Sequence, residues 1–307
     1  MKAHPENKNF SLITGASGFI GSRLLDYLNK NKELTKIVSR KHLDSPSESI
    51  ICDFKLENLP QSFLEGVSTV YHLAGYTHDL RNPEKLKDKY YLINVLATIN
   101  LARISEKMGV KDFVFVSSVK AGTSDIYDEE STEKPEGVYG ETKREAELEL
   151  IKFSKKSNMK ISIVRPALVY GPNLKGNLLS MDNAIKSGWF PPLPKLNNNR
   201  SMIHVDDLVK AIVLVKKKGL NAEIYNATDG VKYSTEDIYE IFCHSHGKKL
   251  PNIRVPAYIF KIVSSLSNTL NHKINKLFGD EYYSSSKLKA LGFKANLNFG
   301  DLNESLF

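Results

Sequence analysis

The feature that most constrains the fold is a glycine-rich turn between the first strand and the first helix that the sequence predicts. The apolar run at 10–13 is followed by TGASGFIG at 14–21, which contains Gly15, Gly18 and Gly21. Glycine is needed where a chain turns tightly and where backbone must approach a pyrophosphate. A helix beginning there would present free N–H groups and the positive end of its dipole. The spacing is GxxGxxG rather than GxGxxG, and a plain strand–helix turn could share it. Its place at the first strand–helix junction favours dinucleotide binding.

Short apolar runs alternate with amphipathic stretches through the first half of the chain. Several runs are rich in Val, Ile and Phe with little polar alternation, as buried parallel strands require. The longest helical patterns lie at 92–108 and 139–157. We therefore predict right-handed βαβ crossovers and an α/β fold with a Rossmann-type, doubly wound parallel sheet. The predicted strands are 10–13, 36–39, 49–52, 69–74, 113–117 and 161–164.

The character of the sequence changes after Pro166, where prolines and glycines become frequent. We expect residues 1–166 to form an NAD(P)-binding domain. Residues 167–307 should form a smaller, mixed α/β substrate domain that is partly interleaved with the first. The most apolar late stretch, 258–270, is interrupted by Lys261 and several serines. This pattern favours an amphipathic helix packed on its own domain over a helix lying on a membrane surface.

The composition favours a globular protein over disulfide-rich, membrane-spanning and nucleic-acid-binding classes. Of the 307 residues, 41% are hydrophobic and 25% are charged, which is ordinary for a globular chain. Cys52 and Cys243 form no CxxC motif, so we expect neither disulfides nor a metal site, and a cytoplasmic location fits best. No apolar run is long enough for a membrane span, and the polar start does not resemble a signal peptide. The net charge of +8 is spread along the chain, which favours an anionic substrate or cofactor over nucleic acid.

The end of the second predicted strand bears on the choice of cofactor. A carboxylate there would bind the adenosine ribose hydroxyls, but the sequence reads VSRK at 38–41. Arg40 and Lys41 instead offer donors suited to a 2′-phosphate, although they could also be ordinary surface cations. We therefore predict NADP, with NAD as the alternative. Asp53, after the third strand, could accept from the adenine amino group or cap the next helix.

Tyr139 and Lys143 are four residues apart, so a helix would place both side chains on one face. A phenol is a poor base at neutral pH, but a nearby ammonium lowers its pKa. Tyr139 could then exchange a proton with a substrate hydroxyl or carbonyl, and Lys143 could also bind the nicotinamide ribose. An isolated YxxxK also arises by chance on surface helices. Ser117 and Ser118, at the carboxyl end of a predicted strand, strengthen the assignment because ligands bind at that edge of such sheets.

The glycine turn, the serine strand end and YxxxK occur in the order of the extended short-chain dehydrogenase/reductase family, the NAD-dependent epimerase/dehydratase group. The chain resembles this family over nearly its whole length, including YHLAG at 71–75 and the RP pair at 165–166. The resemblance implies that Ser118 is catalytic together with Tyr139 and Lys143. The residues predicted to contact the cofactor, from all these arguments, are Gly15, Ser17, Gly18, Phe19, Ile20, Gly21, Arg40, Asp53, Leu73, Ala74, Gly75, Asn94, Lys143 and Pro166.

The resemblance also implies a nucleotide-sugar substrate. Arg200, in RSMIHVDDL at 200–208, matches an arginine that contacts the diphosphate, and Asn177 matches an asparagine at the nucleotide. Arg200 could instead form an ion pair with Asp206 or Asp207. The expected substrate contacts are Ser118, Lys120, Tyr139, Asn177 and Arg200.

Val119 and Lys120 stand where the dehydratases of the family carry an Asp-Glu pair, which argues against a 4,6-dehydratase. Lys120 is similar to a subgroup of bacterial surface-polysaccharide enzymes that includes 4-keto-sugar reductases. We therefore expect a UDP- or dTDP-sugar 4-epimerase or 4-ketoreductase. A reductase of small non-nucleotide carbonyl compounds and a non-catalytic NADP-binding regulator are the alternatives.

The resemblance further implies a homodimer in which the two long helices pair with their copies in a second subunit. Leu101, Ile104, Leu148 and Ile151 are the candidate apolar contacts.

Overall fold

The computed structural model describes residues 9–54, 59–77, 84–122, 135, 137–174, 176–251, 254–267, 271, 274–275 and 277–301. The strands in this part of the chain are β1 (Phe10–Thr14), β2 (Thr35–Ser39), β3 (Glu48–Ile51), β4 (Val67–His72), β5 (Asp112–Val116), β6 (Lys160–Pro166), β7 (Leu168–Tyr170), β8 (Met202–His204) and β9 (Glu223–Ala227). The helices are α1 (Phe19–Lys30), α2 (Lys87–Tyr91), α3 (Ala97–Lys107), α4 (Gly137–Ser154), α5 (Gly176–Lys186), α6 (Val205–Lys218), α7 (Thr235–Ser245), α8 (Ala257–Ser265) and α9 (Ser286–Ala290).

Seven strands form one parallel sheet in the order β3-β2-β1-β4-β5-β6-β9. The strand order reverses between β1 and β4, and ligands of open α/β sheets bind at the carboxyl ends of the strands at such a point. The predicted Rossmann-type sheet is confirmed.

Apolar clusters cover both faces of this sheet. On one face, Leu101 of α3 and Leu150 of α4 pack against strand residues such as Phe113. On the other face, Leu24 of α1 and Ile212 of α6 pack in a second cluster. The helices thus fix the strand ends at which the candidate residues lie.

The second half of the chain contributes to both the large sheet and a separate core. Strand β9 pairs with β6 and completes the large sheet, although no strand was predicted at 223–227. β7 and β8 form a small parallel sheet. A third apolar cluster, which includes Tyr170, Met202 and Phe242, lies beside this small sheet.

The long helical pattern predicted at 92–108 begins earlier and is irregular. Helices α2 and α3 are joined by a π-helical turn over Leu92–Leu96. Such turns are rare and often occur at functional sites. The expectation that Leu101 faces a second subunit is wrong, because this side chain is 1% exposed and belongs to the core under the sheet. Leu148 of α4 is 50% exposed, and Leu96 is 42% exposed.

None of the helices in the described ranges combines the length and apolar composition needed to cross a lipid bilayer.

Candidate active site

Two of the three glycines at the junction of β1 and α1, Gly15 and Gly21, leave no room for a side chain. Gly15 has φ +73°, and a Cβ there would lie 2.8 Å from the backbone nitrogen of Ala74. A Cβ on Gly21 would overlap the carbonyl oxygen of Gly15. Gly18 caps α1 without a side-chain hydrogen bond, so the first N–H groups of α1 are available to an anion. This close backbone approach at an open helix end fits a dinucleotide pyrophosphate.

A buried hydrogen-bond chain joins the end of β4 to this turn. Nδ1 of His72 lies 2.7 Å from Oγ1 of Thr14, and Nε2 lies 2.9 Å from Oγ1 of Thr98. The backbone N–H of Ala74 donates to the Thr14 hydroxyl at 3.1 Å. Burial lowers the pKa of His72 to about 3, so the ring is neutral and serves as a structural link. These hydrogen bonds hold Leu73 and Ala74, two of the predicted cofactor contacts, beside the glycine turn.

Asn94 lies in the π-helical turn and links Tyr76, shortly after β4, to Thr142 of α4. Its Oδ1 accepts from the Tyr76 N–H at 2.7 Å, and its Nδ2 donates to Oγ1 of Thr142 at 3.1 Å. A Cβ on Gly75 would lie 3.2 Å from Oδ1 of Asn94 and 3.9 Å from Nζ of Lys143. Asn94 therefore positions the Gly75 backbone next to Lys143.

Ser118, Tyr139 and Lys143 come together at the carboxyl end of β5. The Ser118 hydroxyl lies close enough to the Tyr139 phenol to act on its pKa. Nζ of Lys143 donates to the Val116 carbonyl oxygen at 2.9 Å and lies 4.1 Å from the centre of the Phe115 ring. Ser117, the other candidate serine, has a buried Oγ with no hydrogen-bond partner among the described residues. Ser118, and not Ser117, therefore acts on the Tyr139 phenol.

Burial shifts both titratable groups of this cluster. It raises the pKa of Tyr139 to about 12, while the hydrogen bond with Ser118 acts in the opposite direction. It lowers the pKa of Lys143 to about 7, and the negative charge of Glu147 opposes that change. At neutral pH, Tyr139 is a protonated phenol, and Lys143 is near the midpoint of its titration. Such displaced values are typical of groups that handle protons.

Glu147 was not identified from the sequence. It lies one turn beyond Lys143 on α4, and its fully buried carboxylate accepts from Nε and Nη2 of Arg165 at 2.9 and 2.7 Å. This two-point ion pair fixes α4 to β6 immediately before Pro166. The sequence did contain a signal, because Tyr139, Lys143 and Glu147 recur at four-residue spacing.

The remaining predicted cofactor residues lie at the same edge of the sheet. Arg40 directly follows β2 and is exposed, and Asp53 follows β3 and is partly exposed. Pro166 ends β6 and is buried. Parallel strands place their carboxyl ends together, so these positions share an edge with the glycine turn.

Arg200 forms an ion pair that the sequence did not suggest. Its Nη1 lies 3.3 Å from Oε2 of Glu281, which also binds Nζ of Lys120 through Oε1. Asn177, in the first turn of α5, is exposed.

The two aspartates proposed as partners of Arg200 have other partners. Asp206 binds Arg23 at 2.7 Å, and Asp207 binds Lys210 at 2.9 Å. Asp207 also accepts from the backbone N–H groups at 296 and 297. The pair with Arg23 ties α6 to α1, and the backbone hydrogen bonds tie it to residues 296 and 297, whereas the pair with Lys210 lies within α6. The alternative of a local ion pair for Arg200 is therefore wrong, and Arg200 pairs with the distant Glu281.

The Rossmann-type sheet, the glycine turn and the Ser-Tyr-Lys cluster together define an NAD(P)-dependent enzyme of the extended short-chain dehydrogenase/reductase type. The chain belongs to the NAD dependent epimerase/dehydratase family, which it matches over residues 11–228. The resemblance inferred from the sequence is thus confirmed.

Two curated relatives cover most of this chain. It is 28% identical to a UDP-glucose 4-epimerase of Vibrio cholerae over 268 residues, which cover 83% of this chain and 81% of the relative. It is 27% identical to an N-acetyl-alpha-D-glucosaminyl-diphospho-ditrans,octacis-undecaprenol 4-epimerase of Escherichia coli O157:H7 over 300 residues, which cover 92% of this chain and 90% of the relative.

Solved structures share the fold. MoeE5 in complex with UDP-glucose and NAD superposes with a TM-score of 0.75 at 25% identity, covering 94% of each chain. A UDP-glucuronic acid 4-epimerase from Bacillus cereus in complex with NAD has a TM-score of 0.78 at 20% identity, covering 96% of this chain and 94% of that one.

Proposed function

We propose that the protein is a nucleotide-sugar 4-epimerase or 4-ketoreductase that works at C4 of a UDP- or dTDP-linked sugar. The observation that carries this proposal is the cluster of Ser118, Tyr139 and Lys143 at the carboxyl end of β5, in which Tyr139 and Lys143 share one face of α4. Relatives named as UDP-sugar 4-epimerases support the choice of substrate.

The residues of the chain divide the proton chemistry between them. The cofactor, when bound, supplies hydride transfer to and from the sugar. Tyr139 donates its proton to a C4 carbonyl oxygen on reduction and accepts it from the C4 hydroxyl on oxidation. Ser118 hydrogen-bonds the same oxygen and aligns it with the phenol. The ammonium form of Lys143 favours the phenolate that oxidation requires, and its Nζ is held near Gly75 for a ribose hydroxyl.

We infer a preference for NADP over NAD. Arg40 and Lys41 are both exposed where β2 ends, and no carboxylate occupies the strand end. Cationic donors at this position favour a 2′-phosphate, and a carboxylate would repel it. NAD remains the alternative cofactor, because two solved structures of similar fold contain it.

We also propose a cytoplasmic homodimer, with residues 1–166 as the cofactor domain and 167–307 as the partly interleaved substrate domain. Exposed apolar side chains on α4, and on α2 and the π-helical turn that lie beside it, support the dimer. They are Tyr91, Leu92, Leu96 and Leu148, which are 36–50% exposed.

The function is tested by product analysis. Purified protein is incubated with UDP-glucose, UDP-N-acetylglucosamine and a dTDP-4-keto sugar, with NAD or NADPH, and products are identified by NMR. Interconversion of 4-epimers with bound cofactor indicates an epimerase, and stoichiometric NADPH oxidation indicates a reductase. Reduction of an uncharged carbonyl compound, with no turnover of any nucleotide sugar, would instead favour the small-carbonyl reductase.

A sugar carried on a polyprenyl diphosphate is a second candidate substrate. The specific observation is helix α8, which packs through Phe260 but leaves Tyr258, Ile262 and Leu266 near it 62%, 60% and 73% exposed. Lys261 is also exposed on this helix. A short helix with exposed apolar and cationic side chains can lie in a membrane interface, where such a substrate is found. One relative is named for a substrate of this class.

Sedimentation with vesicles separates the two substrate classes. Wild-type protein should pellet with vesicles containing anionic phospholipid if the substrate is lipid-linked, and the Ile262→Glu variant should remain in the supernatant. Lys152→Glu, an exposed change on α4, is the control. If wild-type protein stays in the supernatant, the lipid-linked substrate is excluded and the nucleotide sugar is favoured.

A further inference from the structure

The carboxylate of Glu281 occupies the space between two cations expected to contact substrate. Oε1 of Glu281 accepts a hydrogen bond from Nζ of Lys120, and Oε2 lies 3.3 Å from Nη1 of Arg200. Lys120 follows β5 and lies two residues after Ser118. Arg200 and Glu281 come from the second half of the chain. The bridge therefore spans the region between the catalytic strand end and the segment that carries Arg200.

Backbone pairing places the main chain of Glu281 beside Arg200. The N–H of Glu281 donates to the Asn199 carbonyl at 2.7 Å, and the N–H of Ser201 donates to the Glu281 carbonyl at 2.9 Å. Glu281 thus lies on an extended segment directly beside Arg200.

The guanidinium of Arg200 is held from its other side. Its Nε donates to Oγ1 of Thr235 at 2.9 Å, and its Nη2 contacts the Gly279 carbonyl oxygen at 3.4 Å. Arg200 is 8% exposed, whereas the side chains of Lys120 and Glu281 keep 30% and 25% of their surface in contact with solvent. An anion that approaches this cluster from solvent meets Glu281 before it can use Nη1 of Arg200.

Carboxylate and phosphate oxygens compete for the same donors. Both accept short, charge-assisted hydrogen bonds from guanidinium and ammonium groups. We propose that Glu281 is a built-in competitor for the substrate's diphosphate: it occupies the anion subsite formed by Lys120 and Arg200 and must be displaced when substrate binds. Glu281 thereby lowers the affinity for diphosphates and restricts the subsite to ligands that bring enough negative charge. The proposed function enters this inference only through the identity of the anion.

The test is the affinity of the protein for inorganic pyrophosphate and UDP, measured by calorimetry with Glu281→Gln. Glutamine keeps the shape of the side chain but releases both cations, so both ligands should bind roughly tenfold more tightly, about the value of one charge-assisted hydrogen bond. Structural damage would weaken binding, and so a gain in affinity separates this role from a purely structural one. Glu223→Gln, which breaks the 2.7 Å pair with Lys287 elsewhere, should leave both affinities unchanged.

Glu281→Asp provides a second variant if the glutamine variant folds poorly. Its shorter carboxylate cannot reach both cations, and an intermediate gain is expected. Unchanged or weaker binding of pyrophosphate by folded variants would overturn the proposal, since it would mean that Glu281 is neutral or orients the cations for the ligand. Tighter pyrophosphate binding by a protein that turns over no nucleotide sugar would support the competitor role and refute the proposed function.

Discussion

Replacing Lys143 with methionine should stabilise the fold while it abolishes turnover. Lys143 is 3% exposed, and burial lowers its pKa from 10.5 to about 7. Because the folded-state pKa lies below the unfolded value, the unfolded chain binds more protons between these two pH values. Stability therefore rises with pH across that interval, and the cation destabilises the fold most at and below neutral pH.

The displacement of the Lys143 pKa determines how much the buried cation lowers the free energy of unfolding. About 3.5 pH units, at about 1.4 kcal/mol each, give about 5 kcal/mol of destabilisation well below pH 7. At pH 7, where half of the folded protein already carries a neutral lysine, about 4 kcal/mol remains. Methionine also loses the 2.9 Å hydrogen bond to the Val116 carbonyl, which is worth about 1 kcal/mol. We therefore expect Lys143→Met to be roughly 3 kcal/mol more stable than wild type at pH 7. Between pH 7 and pH 9, where the folded wild-type protein carries a neutral lysine, this advantage should fall by about 2 kcal/mol.

Urea unfolding followed by circular dichroism at pH 7 and pH 9 measures both quantities. Lys152→Met, whose native side chain on the same helix is 78% exposed, is the matched control and should change stability little at either pH. A Lys143→Met variant that is less stable than wild type at pH 7, or whose advantage does not change with pH, would refute the reasoning.

Three further predictions concern the cofactor, the assembly and the support of Lys143. Arg40→Ala should weaken NADP(H) binding roughly tenfold or more and NAD(H) binding little, because one charge-assisted contact to the 2′-phosphate is lost; equal losses in calorimetry would exclude the phosphate contact. Leu148→Glu should shift the sedimentation coefficient from dimer to monomer, since this 50% exposed side chain would then carry a charge into the interface; an unchanged dimer would place the interface elsewhere. Glu147→Gln should cost about 3–5 kcal/mol by breaking a buried ion pair, and it should lower the pKa of Lys143 further; Glu149→Gln, on the same helix, should be nearly neutral in the same unfolding assay.

The sequence predicted six strands of the large sheet because buried parallel strands have an apolar, β-branched composition that needs no knowledge of their neighbours. Strand β9 was missed because it lacks this apolar, β-branched composition. Its sequence EIYNA has polar residues at both ends of a short apolar pair, and its pairing with β6 decides its conformation. The start of α2 was missed because KDKYY carries charge rather than an apolar period.

In the candidate site too, the sequence predicts what depends on local spacing and misses what depends on tertiary contacts. Tyr139 and Lys143 are linked by helical spacing, which a sequence displays directly. Glu281 lies 81 residues from Arg200, and only the folded chain brings the two together. The alternative of an ion pair between Arg200 and Asp206 or Asp207 was wrong, because Asp206 pairs with Arg23 on α1 and Asp207 pairs with Lys210.

Isotope transfer can test whether hydride chemistry takes place at C4 with Tyr139 as the acid and base. UDP-glucose and UDP-N-acetylglucosamine deuterated at C4 are incubated with wild-type protein and Tyr139→Phe in the presence of NAD or NADP. We expect wild type either to keep the deuterium at C4 of the epimer or to transfer it to the nicotinamide ring, and we expect the variant to be slower by orders of magnitude. Loss of the deuterium to solvent, or turnover by Tyr139→Phe at the wild-type rate, would contradict this mechanism.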